Sequence, residues 1–384
     1  MKKNLCFGLL AAALGLSMIS CNNTAKQETD GLTASGLSAE NFATDSTALY
    51  VLTNSNGMEV CFTNFGGRIV SIMVPDKDGN MQDVCLGHDN IQDYEKYGAE
   101  GCNFGALIGR YGNRIAKGQF TLDGESYQLP INNGPNSLHG GGPIAFHNRI
   151  WVANQVDNQN LEFSTTSADG EDGYPGNIEV KVTYTLTDEN ALQITYEGTT
   201  DKATVLNLTN HCYFNLSGNP STDCLDEVLT LDADSITAVD ADVAVTGEVL
   251  AVEGTPFDFR TATPIGERID ETTNEQIDNG KGYDHNWILN TKGDITKPFG
   301  TLYDPNSGIF MEMFTDQPGV QFYAGNFLDG SFVGKNGVKY PRRSAFCFES
   351  QHYPDSPNHP EWPTTTLRPG EKYFTTTIYK FSVK

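Results

Sequence analysis

The chain carries its chemically interesting residues in short, constrained runs rather than spread evenly along it. Asn-Arg stands at 113–114, Asn-Ser-Leu-His-Gly-Gly at 136–141, and Asn-Leu-Thr-Asn-His-Cys-Tyr-Phe-Asn-Leu at 207–216. Tyr-Asp-His-Asn follows at 283–286, Pro-Gly-Val-Gln-Phe-Tyr at 318–323, and Phe-Glu-Ser-Gln at 348–351. Histidine is the side chain whose ordinary pKa, about 6.5, lets it give and take a proton near neutrality, and a carboxylate is its natural counterpart. His139, His211, Asp284 and Glu349 are therefore candidates for acid–base work. Each also has a plainer reading. A lone histidine is more often a satisfied structural or surface residue, Asp284 would serve to cap a turn, and Glu349 would pair with Arg342 or Arg343 on a solvated strand. Arg114 alone would be a surface residue.

Other chemistries lack their sequence signatures. No GxGxxG follows a strand, and there is neither a GxxxxGK[ST] phosphate loop nor a GxSxG nucleophile elbow. The acids between Asp232 and Asp242 lack the glycine and closing glutamate of a calcium loop and read as a solvated edge or turn. His352 and His359 are separated by Pro354 and Pro357, a spacing without regular metal geometry. A metal enzyme is therefore disfavoured. With 49 acidic against 25 basic residues, the net charge is −24, which opposes any phosphate backbone and excludes an unaided nucleic-acid binder.

The elements that must position these residues are strands. In Ile178 to Leu186 every second side chain is apolar, which places those side chains on one face of a strand; Leu192 to Tyr196 repeats the pattern after a turn at 188–190. Phe120 to Leu122 and Tyr127 to Leu129 flank Asp123-Gly124, a pair suited to the positive-φ turn of a tight hairpin, and Asp78-Gly79 closes the run Ile69 to Val74. Helices are expected only as a turn or two, around Ile91 to Tyr97 and Thr263 to Ile269. Seventeen prolines agree with many short strands and loops. No linker or repeat interrupts the chain after residue 46, so the expected fold is all-β, one large antiparallel sandwich over 46–384.

The N-terminus reads differently. Lys2 and Lys3 precede an apolar stretch, Leu5 to Ile19, too short for a stable span, which ends in Met-Ile-Ser-Cys at 18–21 before polar Asn22-Asn23-Thr24. This resembles a bacterial lipoprotein signal: residues 1–20 are removed, Cys21 carries lipid, and 21–45 forms a flexible tether rich in small and polar residues. The alternative is an ordinary cleaved signal peptide. The protein is then expected in the bacterial cell envelope, periplasm-facing or surface-exposed, touching the membrane only through its N-terminal anchor. Of eight cysteines, Cys61, Cys85, Cys102, Cys212, Cys224 and Cys347 remain in the domain; none form CxxC pairs, and buried free thiols are expected.

Taken in order, the motifs resemble the aldose 1-epimerase (galactose mutarotase) family. They comprise Gly109-Arg110, Asn113-Arg114-Ile115, the Asn-Ser-Leu-His-Gly-Gly run, Leu-Thr-Asn-His-x-Tyr-Phe-Asn-Leu, Tyr-Asp-His-Asn, Pro-Gly-Val-Gln-Phe-Tyr-x-Gly-Asn-Phe-Leu-Asp-Gly, Glu-Ser-Gln and Leu-Arg-Pro-Gly-Glu-x-Tyr. The resemblance implies the family's large galactose mutarotase-like supersandwich and a cofactor-free isomerase that interconverts α and β anomers of free hexoses such as galactose and glucose. It further implies that His211 is the general acid at the ring oxygen and Glu349 the general base at the C1 hydroxyl. His139 would steady the ring oxygen, and Asn113, Arg114, Asp284 and Gln321 would contact hydroxyls. A bell-shaped pH profile is expected, declining at low pH as Glu349 protonates and at high pH as His211 loses its proton. Three rivals stay open at this point: a sugar-binding lipoprotein without catalysis, a glycoside hydrolase using Asp284 and Glu349, and an epimerase of sugar phosphates, which would need an arginine cluster.

Overall fold

Alternation of buried and exposed side chains shapes the largest sheet. The computed structural model describes residues 31–384; the expected signal segment and Cys21 lie outside the described residues. Ile178–Leu186 and Ala191–Thr200 pair antiparallel with Leu186 opposite Leu192, as the period-two pattern predicts. This hairpin belongs to a nine-stranded sheet that runs from Val152–Gln155 at one edge, through Tyr373–Val383 at the centre, to Thr263–Pro264 at the other. The expected hairpin at Asp123-Gly124 also forms, both residues taking positive φ, between Gln119–Leu122 and Glu125–Gln128.

A second, six-stranded sheet faces the first. Its order is Tyr213–Phe214, Phe346–Gln351, Gly319–Tyr323, Asp284–Leu289, Ala233–Val239 and Val245–Ala251, all neighbours antiparallel. Between the two sheets lies the main core. Trp287, Val320, Phe322 and Phe348 meet Ile194, Tyr196, Met311, Met313 and Tyr379 there. The phenol of Tyr379 donates to the carbonyl of Phe348 at 2.8 Å, tying the sheets together. A four-stranded sheet, Leu49–Thr53 to Met81–Asp83, adds a further wall. The architecture is the large antiparallel β-sandwich expected from the strand pattern.

Two details differ from the sequence expectation. Leu37 and Phe42 are buried, the Phe42 ring packs 6.4 Å from that of Tyr94, and Ser35 donates a hydrogen bond to Ser71. Packed structure therefore begins before residue 46, because two apolar anchors suffice to pin a segment with no periodicity. Thr263 to Ile269 is not an α-helix: Thr263–Pro264 joins the nine-stranded sheet and only Ile265–Glu267 makes a 3-10 turn. Among the described residues the two short α-helices are instead Ile91–Ala99, where expected, and Glu275–Gly280, each capped by an asparagine side chain. The six domain cysteines are free and buried.

Phe322 tests the core. It is fully buried, stacked on Phe348 at 5.1 Å and 8°, and packed against Tyr283, Trp287 and Phe346. Phe322→Ala should destabilise the domain by ~3–5 kcal/mol through lost burial and an unfilled cavity. Urea unfolding followed by tryptophan fluorescence measures this; a change below ~1 kcal/mol would mean that the two sheets do not depend on this contact.

Candidate active site

The six-stranded sheet has an unusual chemical asymmetry. Register pairs Asp284 with Tyr323 and Tyr323 with Cys347 in one row, and Asn286 with Gln321 and Gln321 with Glu349 in the next. Successive side chains on a strand point to opposite faces, so these two rows share a face, while His285, Trp287, Phe322 and Phe348 occupy the other. The aromatic face supplies the core. The polar face forms the floor of a cleft of about 400 Å³.

The walls come from loops held in tight backbone conformations. Asn113 and His139 both adopt positive φ, 64° and 55°, and each donates to the other: the His139 N–H to the Asn113 carbonyl at 3.0 Å, the Asn113 N–H to His139 Nδ1 at 3.1 Å. Gly140, next in the chain, has φ 92°, and a Cβ there would lie 2.2 Å from the Gly109 carbonyl oxygen, so only glycine fits. Because His139 Nδ1 accepts a hydrogen bond, the proton of the neutral ring sits on Nε2, which makes Nε2–H a donor. Arg114 is fixed by Nε donating to Asn133 Oδ1 at 3.0 Å, and its Nη2 lies 3.9 Å from Asp284 Oδ2.

His211 ends the short strand Thr209–His211, which pairs with Ala106–Ile108, while Tyr213 pairs with Cys347 on the strand that carries Glu349. These pairings bring two distant segments together: His211 Nε2 stands 3.7 Å from Glu349 Oε1. The His211 ring stacks on Tyr213 at 5.0 Å and meets His139 edge-on at 5.1 Å. Burial dominates the electrostatics. It lowers the pKa of His211 to about 4, with Arg68 adding to the effect, and holds His139 well below the ordinary value. Burial raises Glu349 well above the usual carboxylate range, reinforced by Asp284 and opposed by Arg114. Both members of the pair thus resist charge, and near neutrality they retain one proton between them.

The structure brings His139, His211, Glu349, Asn113, Arg114 and Asp284 to the surface of one cleft. Gln321 lies in the floor but not on that surface. Its Nε2 donates to Asp284 Oδ1 at 2.7 Å, so it orients the carboxylate. Sequence reasoning left other wall residues unassigned. Tyr323 and Tyr213 flank His211, Phe327 and Phe332 lie at the rim, and Asp242, expected on a solvated edge or turn, also lines the cleft. Asp242 carries no local signal of this role, since only the fold brings its loop over the site.

His139, His211 and Glu349 are also the cluster whose ligand atoms come within 4.8 Å of one another. A zinc ligand must offer a lone pair, whereas His139 presents a donor on Nε2 because its Nδ1 accepts from Asn113. The set is suited to a hydroxylic ligand that both gives and accepts hydrogen bonds.

Comparison with known proteins identifies the family. Residues 48–380 match the family model described as aldose 1-epimerase. The galactose mutarotase of Bos taurus is 44% identical over 333 residues, covering 86% of this chain and 92% of that protein. The aldose 1-epimerase of Escherichia coli strain K12 is 40% identical over 337 residues, covering 87% and 94%. Among solved structures, the GalM/aldose epimerase homologue from C. elegans superposes with a TM-score of 0.80 at 31% identity, covering 88% of this chain and 99% of that one. With the family model spanning nearly all the described residues and relatives of this identity over nearly their whole length, this chain belongs to the aldose 1-epimerase family.

Proposed function

We propose that His211 and Glu349 open and close the sugar ring by exchanging a single proton with the substrate at two oxygens. The reaction is that of an aldose 1-epimerase, an isomerase interconverting the α and β anomers of free hexoses. The observation that carries the assignment is the 3.7 Å approach of His211 Nε2 to Glu349 Oε1 at the bottom of the cleft. When the closed sugar binds, the shared proton passes from Glu349 to His211, so that imidazolium and carboxylate face the sugar. His211 gives its Nε2 proton to the ring oxygen, Glu349 takes the proton of the C1 hydroxyl, and the bond between C1 and the ring oxygen breaks. The open aldehyde then faces neutral His211 and neutral Glu349. Rotation about C1–C2 presents the other aldehyde face, and both protons return to close the opposite anomer.

The pair holds one proton before, during and after, and its net charge stays at zero. Burial opposes separated charge, so it favours the state that accompanies the open aldehyde, which is the harder state to reach in water. His139 Nε2–H supports the ring oxygen as charge develops. Asn113, Arg114 and Asp284 hold the remaining hydroxyls, with Gln321 behind Asp284. Arg114 is the cleft's cation among the described residues and is opposed by Asp284, which suits a neutral hexose better than a sugar phosphate. Galactose and glucose are the proposed substrates.

We further propose that the domain is tethered to a bacterial membrane by lipid on Cys21, with 1–20 removed. The basis is the Met-Ile-Ser-Cys run at 18–21 and the polar residues after it.

Glu349→Gln keeps shape but removes the base, and His211→Asn removes the acid; each should lower mutarotation of fresh α-D-galactose by ~10²- to 10⁴-fold while sugar binding survives. The double variant should fall little below the worse single one. Polarimetry corrected for spontaneous mutarotation decides this, and near-normal rate in Glu349→Gln would refute the assignment. Burial also exchanges the limbs of the expected pH bell. A second proton on the pair goes to His211, so the acid limb should lie at about 4; the alkaline limb reports loss of the proton that raised Glu349 retains. An acid limb near 6.5 would contradict this. Asp284→Asn should chiefly raise KM, since it removes a hydroxyl acceptor and leaves the proton pair intact. An unchanged KM with a collapsed kcat would move Asp284 into the chemistry. Cys21→Ala should release the protein from the membrane fraction or leave the signal uncleaved. An unmodified Cys21, or cleavage elsewhere, in the intact mass of the native protein would refute the anchor.

A further inference from the structure

The acid half of the pair has a second nitrogen, and its partner is not a carboxylate or a main-chain carbonyl from another strand. His211 Nδ1 lies 3.4 Å from the sulfur of Cys347, a residue with no exposed surface. The strand register explains the contact. Cys347 is paired with Tyr213, two residues beyond His211, and stands two residues before Glu349 on the same face of the same strand. One strand therefore holds both ends of the imidazole: Glu349 at Nε2 and Cys347 at Nδ1.

We propose that Cys347 is a positioning residue for the acid, its thiol sulfur accepting the Nδ1–H of His211 and so keeping the transferable proton on Nε2 without strengthening the ring as a base. The inference rests on His211 being the acid. Its physical content is the weakness of sulfur as an acceptor. A carboxylate or hydroxyl oxygen at the same place would stabilise imidazolium and make His211 a poorer donor to an ether oxygen, which itself is barely basic. Sulfur fixes the tautomer with little such penalty. Burial pushes the Cys347 thiol well above its ordinary range, with Glu349 and Asp284 adding to the rise, so it remains an uncharged S–H.

The other groups that face His211 do not supply this role. Glu349 is on the Nε2 side. Tyr213 and Tyr323 present ring faces or edges and, by burial, stay protonated. His139 is held neutral well below its ordinary pKa, and His147, lowered to about 3, is neutral too. Arg68 acts from a distance and lowers His211, while the residue's own carbonyl raises it. Cys347 is the side chain that touches Nδ1.

The test is the pH–rate profile of Cys347→Ser and Cys347→Ala in polarimetric assays of the full domain, beside His211→Asn. A serine hydroxyl is the stronger acceptor, stabilises imidazolium, and should move the acid limb up by about one pH unit. Alanine removes the acceptor and should move the limb down. In both variants kcat should fall less than the ~10²-fold or more of losing the acid, and KM should hold, because Cys347 does not line the cleft. Opposite shifts of the acid limb in the two variants support the proposal, and either variant alone gives its own direction should the other fail to fold. If both variants lose rate with the acid limb unmoved, Cys347 merely packs and the proposal is overturned. If His211→Asn keeps the wild-type rate, the acid assignment itself has failed, a different result from an inactive His211→Asn beside unshifted Cys347 variants.

Discussion

The site depends on the removal of an acid and a base from water together. Either His211 or Glu349 alone, charged and buried, would be strongly unfavourable; as a pair sharing one proton they remain neutral overall in a low-dielectric setting. That constraint dictates the surroundings. Glu349 needs a strand buried on both faces, and Phe346–Gln351 is such a strand, with Phe348 in the core below and Glu349 in the cleft above. His211 needs a rigid mount, which the short pairing with Ala106–Ile108 and the stack on Tyr213 provide.

The remaining charges are arranged so as not to disturb the pair. Arg114 and Asp284 oppose each other, and their effects on Glu349 run in opposite directions. Gln321 holds Asp284 from beneath. Asn113 and His139 lock each other through reciprocal hydrogen bonds in a backbone conformation that few side chains adopt, and the effect is a histidine whose donor direction is set before substrate arrives. Positioning in advance lets an acid–base pair act with neither metal nor cofactor in the derived steps.

Sequence made the half-buried parts of the fold legible and left the doubly buried parts obscure. Ile178–Leu186 alternates because one face meets the core and the other is partly solvated. Asp284–Leu289, Gly319–Tyr323 and Phe346–Gln351 are buried on both faces, so period two cannot announce them, and only their chemically specific motifs mark them. Leu37 and Phe42 were hidden in a stretch whose composition suggests a tether, since two anchors leave no period. Thr263 to Ile269 has helical spacing, but Pro264 and pairing with Val228–Leu229 draw it into a sheet. The site's principal residues were legible because their types are chemically specific, whereas the place of Gln321 behind Asp284 and of Asp242 on the rim depends on strand register and loop path.

The most direct measurement is a nitrogen-15 NMR titration of His211 in the free domain. Shared burial with Glu349 predicts an imidazole that stays neutral from pH 7 until about 4, well below an ordinary histidine. A His211 that gains its proton near the ordinary value of about 6.5, independently of Glu349, would contradict the one-proton pair on which this account rests.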